Sequence, residues 1–321
     1  MPVLAAASDP APSAHVLLLG VQTGPAALAA DAVLAAAAVA YLVAAHHRGR
    51  KAPPWPAGAT ASFLLGLAGV WVAVGSGLAA YDESNVTLHV VQHVLLMMVA
   101  APLLALGAPA TLAAQTLGRR HQVRLLAVLR SRPVRWGSMP LVASAVYLAS
   151  MWAYFLTPAY PYTVGHPLAH DATHVAFLAI GYLYWQPLVG ADPSPRPSAP
   201  VRLVTIMLGA SLEGALGVVV SLLPRPLAPV NTLADTHTAG RAWLMLAMLA
   251  CGVWSAVVIW QWLAQAAREA PRADRLAREA AELSRRDAEA LGLPVPPPGW
   301  SVPAAALSAQ ERRAPGGPRP R

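Results

Sequence analysis

Long apolar runs constrain this chain more than any other feature of its sequence. Hydrophobic residues make up 56% of the 321 residues, and most of them gather into seven runs. An α-helix needs about 20 apolar residues to cross the hydrocarbon core of a bilayer. The runs therefore predict an all-α fold, a polytopic membrane helical bundle with about seven transmembrane helices. The predicted spans, numbered one to seven, are Ala26–Ala45, Thr60–Ala80, Val86–Leu106, Leu141–Leu156, Pro167–Leu188, Val201–Leu223 and Ala239–Leu263.

The charges between the runs predict the orientation of the bundle. Six arginines and no acidic residue lie between spans three and four, and ten more arginines follow span seven. The segments before span one, between spans two and three, and between spans four and five contain no lysine or arginine. Basic loops stay on the cytoplasmic side, so we expect the N-terminus outside and the C-terminus inside. Since the net charge of +8 comes from these loops and the tail, we expect the lipid bilayer, and not nucleic acid, as a partner.

Composition divides the chain into four parts. Residues 1–25 are predicted to be a short extracytoplasmic N-terminal segment, and residues 26–263 the seven-helix transmembrane domain. Residues 264–293 are rich in Arg, Ala and Glu and predict a cytoplasmic helix. Residues 294–321 are rich in proline, a composition typical of a disordered tail.

Two pairs of histidines carry the chemistry that the sequence predicts. His89 and His93 lie four residues apart at the start of span three, and His170 and His174 have the same spacing at the start of span five. Residues four apart share one face of a helix, and both spans start at the predicted outer surface. Polar side chains in a membrane are costly and usually functional. We therefore predict a metal site between spans three and five, with Met97, four residues after His93, as a further ligand.

Other polar groups near the same surface are predicted to support the metal. Asp82 and Asp235 could orient a ligating histidine as hydrogen-bond partners behind it. Three more donors are auxiliary candidates by position: His166, His237 and Met151. Glu213 lies in the middle of span six, where a carboxyl group either handles protons or makes a structural hydrogen bond.

The donor types leave several chemistries open. Imidazole binds copper, zinc and iron, and a thioether favours Cu(I), so Cu(I) is the expected metal, with zinc and haem as alternatives. A copper-handling protein without enzymatic activity is the first hypothesis. An intramembrane zinc-dependent hydrolase is the second, with the four histidines, Asp82 and Asp171 supplying its ligands and catalytic groups. A copper or proton transporter with Glu213 on its path is the third.

Two segments resemble the signature regions of the CtaG family, the assembly factors of caa3-type cytochrome c oxidase. They are HVVQHVLLMMVAAPLLALGAP, His89–Pro109, and HDATHVAFLAIGYLYWQPLVGADP, His170–Pro193. The seven-span layout and the arginine-rich tail also fit this family. The resemblance implies a multi-pass protein of the bacterial plasma membrane that assists the maturation of a haem–copper oxidase. It also implies a chaperone-like role in delivering or inserting copper, with cytochrome c oxidase subunits as partners.

By position, both histidine pairs match histidines of the family, and Asp235 matches an acidic position before its last span. The sequence departs from the family after that residue. Where the family usually has a run similar to DQQ-x-GG-x-x-MW, this chain has DTHTAG from Asp235 to Gly240.

Overall fold

A computed structural model describes residues 13–51, 53–137, 139–192 and 196–292. Every regular element among these residues is a helix, which confirms the predicted all-α class. A π-helix spans Leu95–Ala100 and joins the helices on either side of it. The α-helices are α1 (Ala14–Leu19), α2 (Pro25–Lys51), α3 (Ala57–Val74), α4 (Leu78–Tyr81), α5 (Val86–Val94), α6 (Ala101–Leu106), α7 (Pro109–Thr116), α8 (Arg119–Leu129), α9 (Arg132–Gly137), α10 (Pro140–Leu156), α11 (Ala159–Val164), α12 (Pro167–Leu188), α13 (Ala199–Ser221) and α14 (Leu233–Ala290).

Each of the seven predicted spans corresponds to a helical stretch. These stretches differ in length and in apolar character, the two properties that a membrane-crossing helix needs. Five are long and apolar enough: Pro25–Arg50, Ala57–Val74, Val86–Thr116, Ala199–Ser221 and Leu233–Asp287. Helix α10 is apolar but has only 17 residues. Helix α12 has 22 residues, but its histidines and Asp171 make it more polar. The count of seven crossings and the orientation of the bundle therefore stay predictions.

The central span, Val86–Thr116, contains a π-helix that is associated with Pro102. The N–H of Ala101 bonds to the carbonyl of Leu96, five residues back. The next N–H in this pattern would bond to the carbonyl of Met97, but proline has no N–H. The indole Nε1 of Trp185 on α12 donates to that carbonyl at 2.7 Å. A second indole, from Trp254 on α14, donates to the carbonyl of Met98 at 2.7 Å.

Glycines allow the helices around this centre to approach closely. A Cβ atom at Gly181 of α12 would lie 3.1 Å from the backbone oxygen of Met97, so glycine lets α12 pack against the π-helix. Helices α13 and α14 meet at Gly217 and Gly240, where a Cβ atom at either residue would lie within 2.7 Å of the other helix's backbone. Small residues serve the same purpose in many membrane helix pairs.

The chain divides into two compact units, Met1–Ile259 and Trp260–Arg321. The first unit contains the apolar core and both histidine pairs. In the second unit α14 continues to Ala290, and its described side chains from Gln265 onward are exposed. The predicted domain boundaries stay predictions, because residues 1–12 and 293–321, with the proline-rich tail, lie outside the described residues.

Candidate metal centre

The two histidine pairs meet inside the bundle. The ring centroids of His89 and His170 are 5.1 Å apart, and those of His93 and His174 are 5.7 Å apart. Within each pair the centroids are 4.4 Å apart. All four side chains are buried, with at most 7% of their surface exposed. Helices α5 and α12 therefore bring four imidazoles together, a convergence that the i, i+4 spacing within each pair does not itself predict.

Asp82 joins the four histidines and forms a potential ligand set with two of them. Donor atoms of Asp82, His170 and His174 all lie within 4.8 Å of one another. The Asp82 Oδ2 atom is 3.7 Å from His170 Nε2, and the exposed Glu83 Oε1 atom is 3.9 Å from His170 Nδ1. The sequence suggested Asp82 as a supporting group, whereas the structure places it among the potential ligands. We call Asp82 and the four histidines the histidine cluster.

Several polar atoms of the histidine cluster are buried without a hydrogen-bond partner among the described residues. They include Asp82 Oδ2, His170 Nε2 and His174 Nε2, one atom from each member of the three-residue set. An unpartnered buried polar atom costs roughly 1–3 kcal/mol. A cation bound between these atoms would compensate for that cost.

Burial also changes the acidity of Asp82, which follows α4 and lies outside the membrane-spanning helices. The pKa of its carboxyl group is raised to about 7. Removal from water is the main cause, a hydrogen bond with Gln92 opposes it, and the neighbouring Glu83 carboxylate adds to it. The ionised form of Asp82 therefore lacks a compensating positive charge in this structure.

A capped helix start holds the first histidine pair in place. The side chain of Asn85 accepts a hydrogen bond from the N–H of Leu88 at 2.9 Å and so caps α5. Asp235, at the start of α14, accepts bonds from the N–H groups of Val86 at 2.6 Å and Thr87 at 3.2 Å. An acidic residue at a helix N-terminus satisfies free N–H groups and interacts favourably with the helix dipole. Asp235 thus fixes the start of the helix that carries His89 and His93.

Aromatic side chains enclose the inner side of the histidine cluster. The Tyr154 hydroxyl lies 3.2 Å from His89 Nε2 and 2.7 Å from Thr163 Oγ1. The rings of Phe155 and Phe177 contact His93 edge-on, with centroid distances of 6.0 and 4.9 Å. The contact of Tyr154 with the histidine cluster was not predicted from the sequence. Its sequence signal is weak, namely that Tyr147, Met151 and Tyr154 share one face of α10.

Two histidines proposed as auxiliary groups bond to backbone carbonyls away from the histidine cluster. His166 is exposed, and its Nδ1 atom lies 2.7 Å from the carbonyl oxygen of Tyr162. His237 Nε2 lies 2.9 Å from the carbonyl oxygen of Leu223, just after α13. Both residues therefore stabilise helix ends in the structure.

The predicted methionine and aspartate contributions also change in the structure. Met97 and Met151 are buried in the main apolar cluster. The prediction for Met97 assumed α-helical spacing, but the helix becomes a π-helix at Leu95, between His93 and Met97. The ligand role of Met97 therefore stays a prediction, and α-helical spacing alone does not support it. Asp171, a candidate of the hydrolase hypothesis, is exposed.

Glu213 lies in the middle of α13 and is not among the donors of the histidine cluster. It is 1% exposed and accepts a hydrogen bond from Trp243 Nε1 at 3.1 Å. The ring of Trp243 contacts Phe155 edge-on at 4.7 Å, and Phe155 in turn contacts His93.

Comparison with known proteins identifies the family. The family model described as cytochrome c oxidase caa3 assembly factor matches residues 39–265, which include both histidine pairs. The chain belongs to this family. This match confirms the resemblance that the two histidine-containing segments indicated.

The similar proteins that were found are longer than the part they share with this chain. One from Mycobacterium bovis and one from Mycobacterium tuberculosis are each 30% identical over 267 residues, which cover 77% of this chain and 40% of each relative. A Mycobacterium leprae protein is 27% identical over 154 residues, covering 46% of this chain and 23% of its own length. All three are described as uncharacterized proteins, and no solved structure matches the chain.

Proposed function

We propose that the histidine cluster binds copper and that the protein assists the assembly of cytochrome c oxidase in the bacterial plasma membrane. The observation that carries this proposal is the convergence of five buried donor residues from α5, α12 and the end of α4. Donor atoms of three of these residues, Asp82, His170 and His174, lie within 4.8 Å of one another, and each of the three has a buried polar atom without a hydrogen-bond partner among the described residues. Oxidase assembly as the process rests on membership of the caa3 assembly factor family.

Copper suits these donors and this family better than the alternatives do. Imidazole is a good ligand for copper, zinc and iron, and haem–copper oxidases need copper during maturation. Haem fits less well because the four rings are already packed within 5.7 Å of their neighbours, and Phe177 contacts His93 directly. A macrocycle would have to displace these side chains.

A cell-based experiment tests the proposal. The gene is deleted in a host with a caa3-type oxidase and replaced by the wild type or by the His93→Ala/His174→Ala variant. We expect the variant to accumulate in the membrane but to yield oxidase with a reduced copper-to-haem ratio. The matched control is His46→Ala/His47→Ala, which changes two histidines of α2 far along the chain from the cluster. Normal copper content with the His93/His174 variant would overturn the proposal.

The hydrolase hypothesis retains one specific observation in its favour. Two histidines and a carboxylate within 4.8 Å resemble the ligand type of catalytic zinc sites, which keep a further position open for water. Binding of zinc in preference to copper, together with hydrolysis of a membrane peptide or lipid that Asp82→Asn abolishes, would favour the hydrolase. Binding of copper without hydrolysis would favour the assembly factor.

A further inference from the structure

Glu213 is a buried carboxyl group that the proposed metal chemistry does not use. Its Oε2 atom accepts the hydrogen bond from Trp243 Nε1. Its Oε1 atom is buried and has no hydrogen-bond partner among the described residues. One oxygen of this carboxyl group is therefore available to another group inside the bundle.

A small cavity lies beside Glu213. Its volume is about 20 Å³, and its lining comes from α10, α12, α13, α14 and the π-helix. A cavity needs roughly 10–15 Å³ of such volume to hold one water molecule. The lining includes Met98, Tyr147, Tyr184, Ala247 and Cys251. The cavity thus has room for a single water molecule next to the carboxyl group.

The surroundings of Glu213 do not supply a positive charge. The titratable groups that line the cavity are Tyr147 from α10, Tyr184 from α12 and Cys251 from α14, and the remaining polar contact is the neutral indole of Trp243. No arginine, lysine or histidine lines this cavity in the described part of the chain. An ionised carboxylate in such a place is costly, and a buried carboxyl group commonly becomes neutral instead.

Two aspartates of the same protein, unlike Glu213, accept several hydrogen bonds at the start of a helix. Asp235 accepts bonds from two N–H groups and the Thr87 hydroxyl at the start of α5. Asp192 does the same with Ala110 and Thr111 at the start of α7. Helix N-termini stabilise the charged form of a carboxylate. Glu213 has one indole donor in place of these groups.

We propose that Glu213 is an internal proton-binding site, in which the neutral carboxyl group holds one proton and donates a hydrogen bond to one water molecule in the cavity. The proton comes from bulk water, and the carboxylate gains it without any other bond forming or breaking. This site lies outside the histidine cluster and does not depend on copper binding.

Infrared difference spectroscopy of the purified full-length protein at neutral pH tests this site. Subtraction of the Glu213→Gln spectrum from the wild-type spectrum should leave the carbonyl stretching band of one protonated carboxylic acid. Asp82→Asn identifies the separate band that Asp82, with a pKa of about 7, contributes at this pH. Asp171→Asn, which changes an exposed carboxylate, is the matched control and should leave the band unchanged. If Glu213→Gln fails to fold, Glu213→Asp keeps the carboxyl group and should shift the band. A difference spectrum that contains only carboxylate bands would overturn the proposal.

A cavity-filling variant tests the water molecule. Ala247→Val adds two methyl groups at the cavity wall, so it should exclude the water while leaving Glu213 in place. Loss of the hydrogen bond should move the carbonyl band to higher frequency. An unchanged band in a folded Ala247→Val protein would show that no water is bound to Glu213 and would overturn that part of the proposal.

Discussion

At the residue scale, Asp82 is the side chain that distinguishes the cluster from a simple group of four histidines. It is 1% exposed, and its pKa is raised to about 7, chiefly by burial. A bound cation would reverse this effect, because it stabilises the ionised carboxylate directly. In the proposed metal site, Asp82 would therefore couple the charge of the cluster to metal binding.

Replacement of Asp82 should weaken metal binding more than replacement of its neighbour. Asp82→Asn removes a buried negative charge from the ligand set, and we expect at least about a 10-fold loss of metal affinity, in line with losses at other metal-site positions. Glu83→Gln is the matched control, since the Glu83 side chain is 47% exposed. Competition with a chelator of known affinity measures both variants. Equal losses in the two would contradict a ligand role for Asp82.

Asp235 is expected to act on the stability of the fold and not on the metal. Asp235→Ala removes the acceptor for the first N–H groups of α5, which should lower the free energy of unfolding by about 0.5–2 kcal/mol. Asp192→Ala, the equivalent change at α7, should have a similar effect. Thermal unfolding in detergent and metal content together check this prediction. Loss of bound metal in Asp235→Ala at unchanged stability would instead make Asp235 a ligand.

At the element scale, the central span depends on backbone groups that its own helix cannot satisfy. Pro102 has no N–H to offer the carbonyl of Met97, and two tryptophan side chains from other helices donate to the carbonyls of Met97 and Met98. The π-helix begins two residues after His93. Such π-turns often occur at functional sites. We therefore expect the indole bonds from α12 and α14 to influence the position of His93.

A double-mutant cycle tests this arrangement. Trp185→Phe keeps most of the packing but leaves the Met97 carbonyl without its donor, at a cost of about 1–3 kcal/mol. Pro102→Ala supplies a backbone N–H that can take over, so the two changes together should cost less than the sum of each alone. Trp260→Phe, at a residue that is 73% exposed, is the control. Strict additivity in unfolding measurements would argue against the proposed role of Trp185.

The contact between α13 and α14 gives a second test at this scale. Gly240→Ala would place a Cβ atom 2.4 Å from the backbone nitrogen of Ser221, so the helices must separate and the protein should unfold at a lower temperature. Gly252→Ala on the same helix meets no atom within 4 Å and should be neutral or slightly stabilising, because alanine favours helices. Similar melting temperatures for the two variants would contradict the close packing of α13 and α14.

At the scale of the whole molecule, periodicity explains which features the sequence could predict. Apolar runs predict the helices, and the i, i+4 spacing correctly predicts that each histidine pair shares a face. Contacts between distant segments leave no such pattern, so the bonds from Asp235 to the start of α5, about 149 residues away, could not be foreseen. The backbone partners of His166 and His237 could not be foreseen for the same reason, and their auxiliary role stays a prediction. The π-helix could not be predicted either, because a proline at position 102 indicates a kink but not the extra residue in the turn before it.

The metal content of the purified protein tests the central claim most directly. Wild type and the His93→Ala/His174→Ala variant are each equilibrated with Cu(I) and with Zn(II), and bound metal is measured by elemental mass spectrometry. We expect the wild type and the His46→Ala/His47→Ala control to bind copper. The His93→Ala/His174→Ala variant should lose it. Equal copper in the cluster variant, or no copper in the wild type, would contradict a copper site at these histidines.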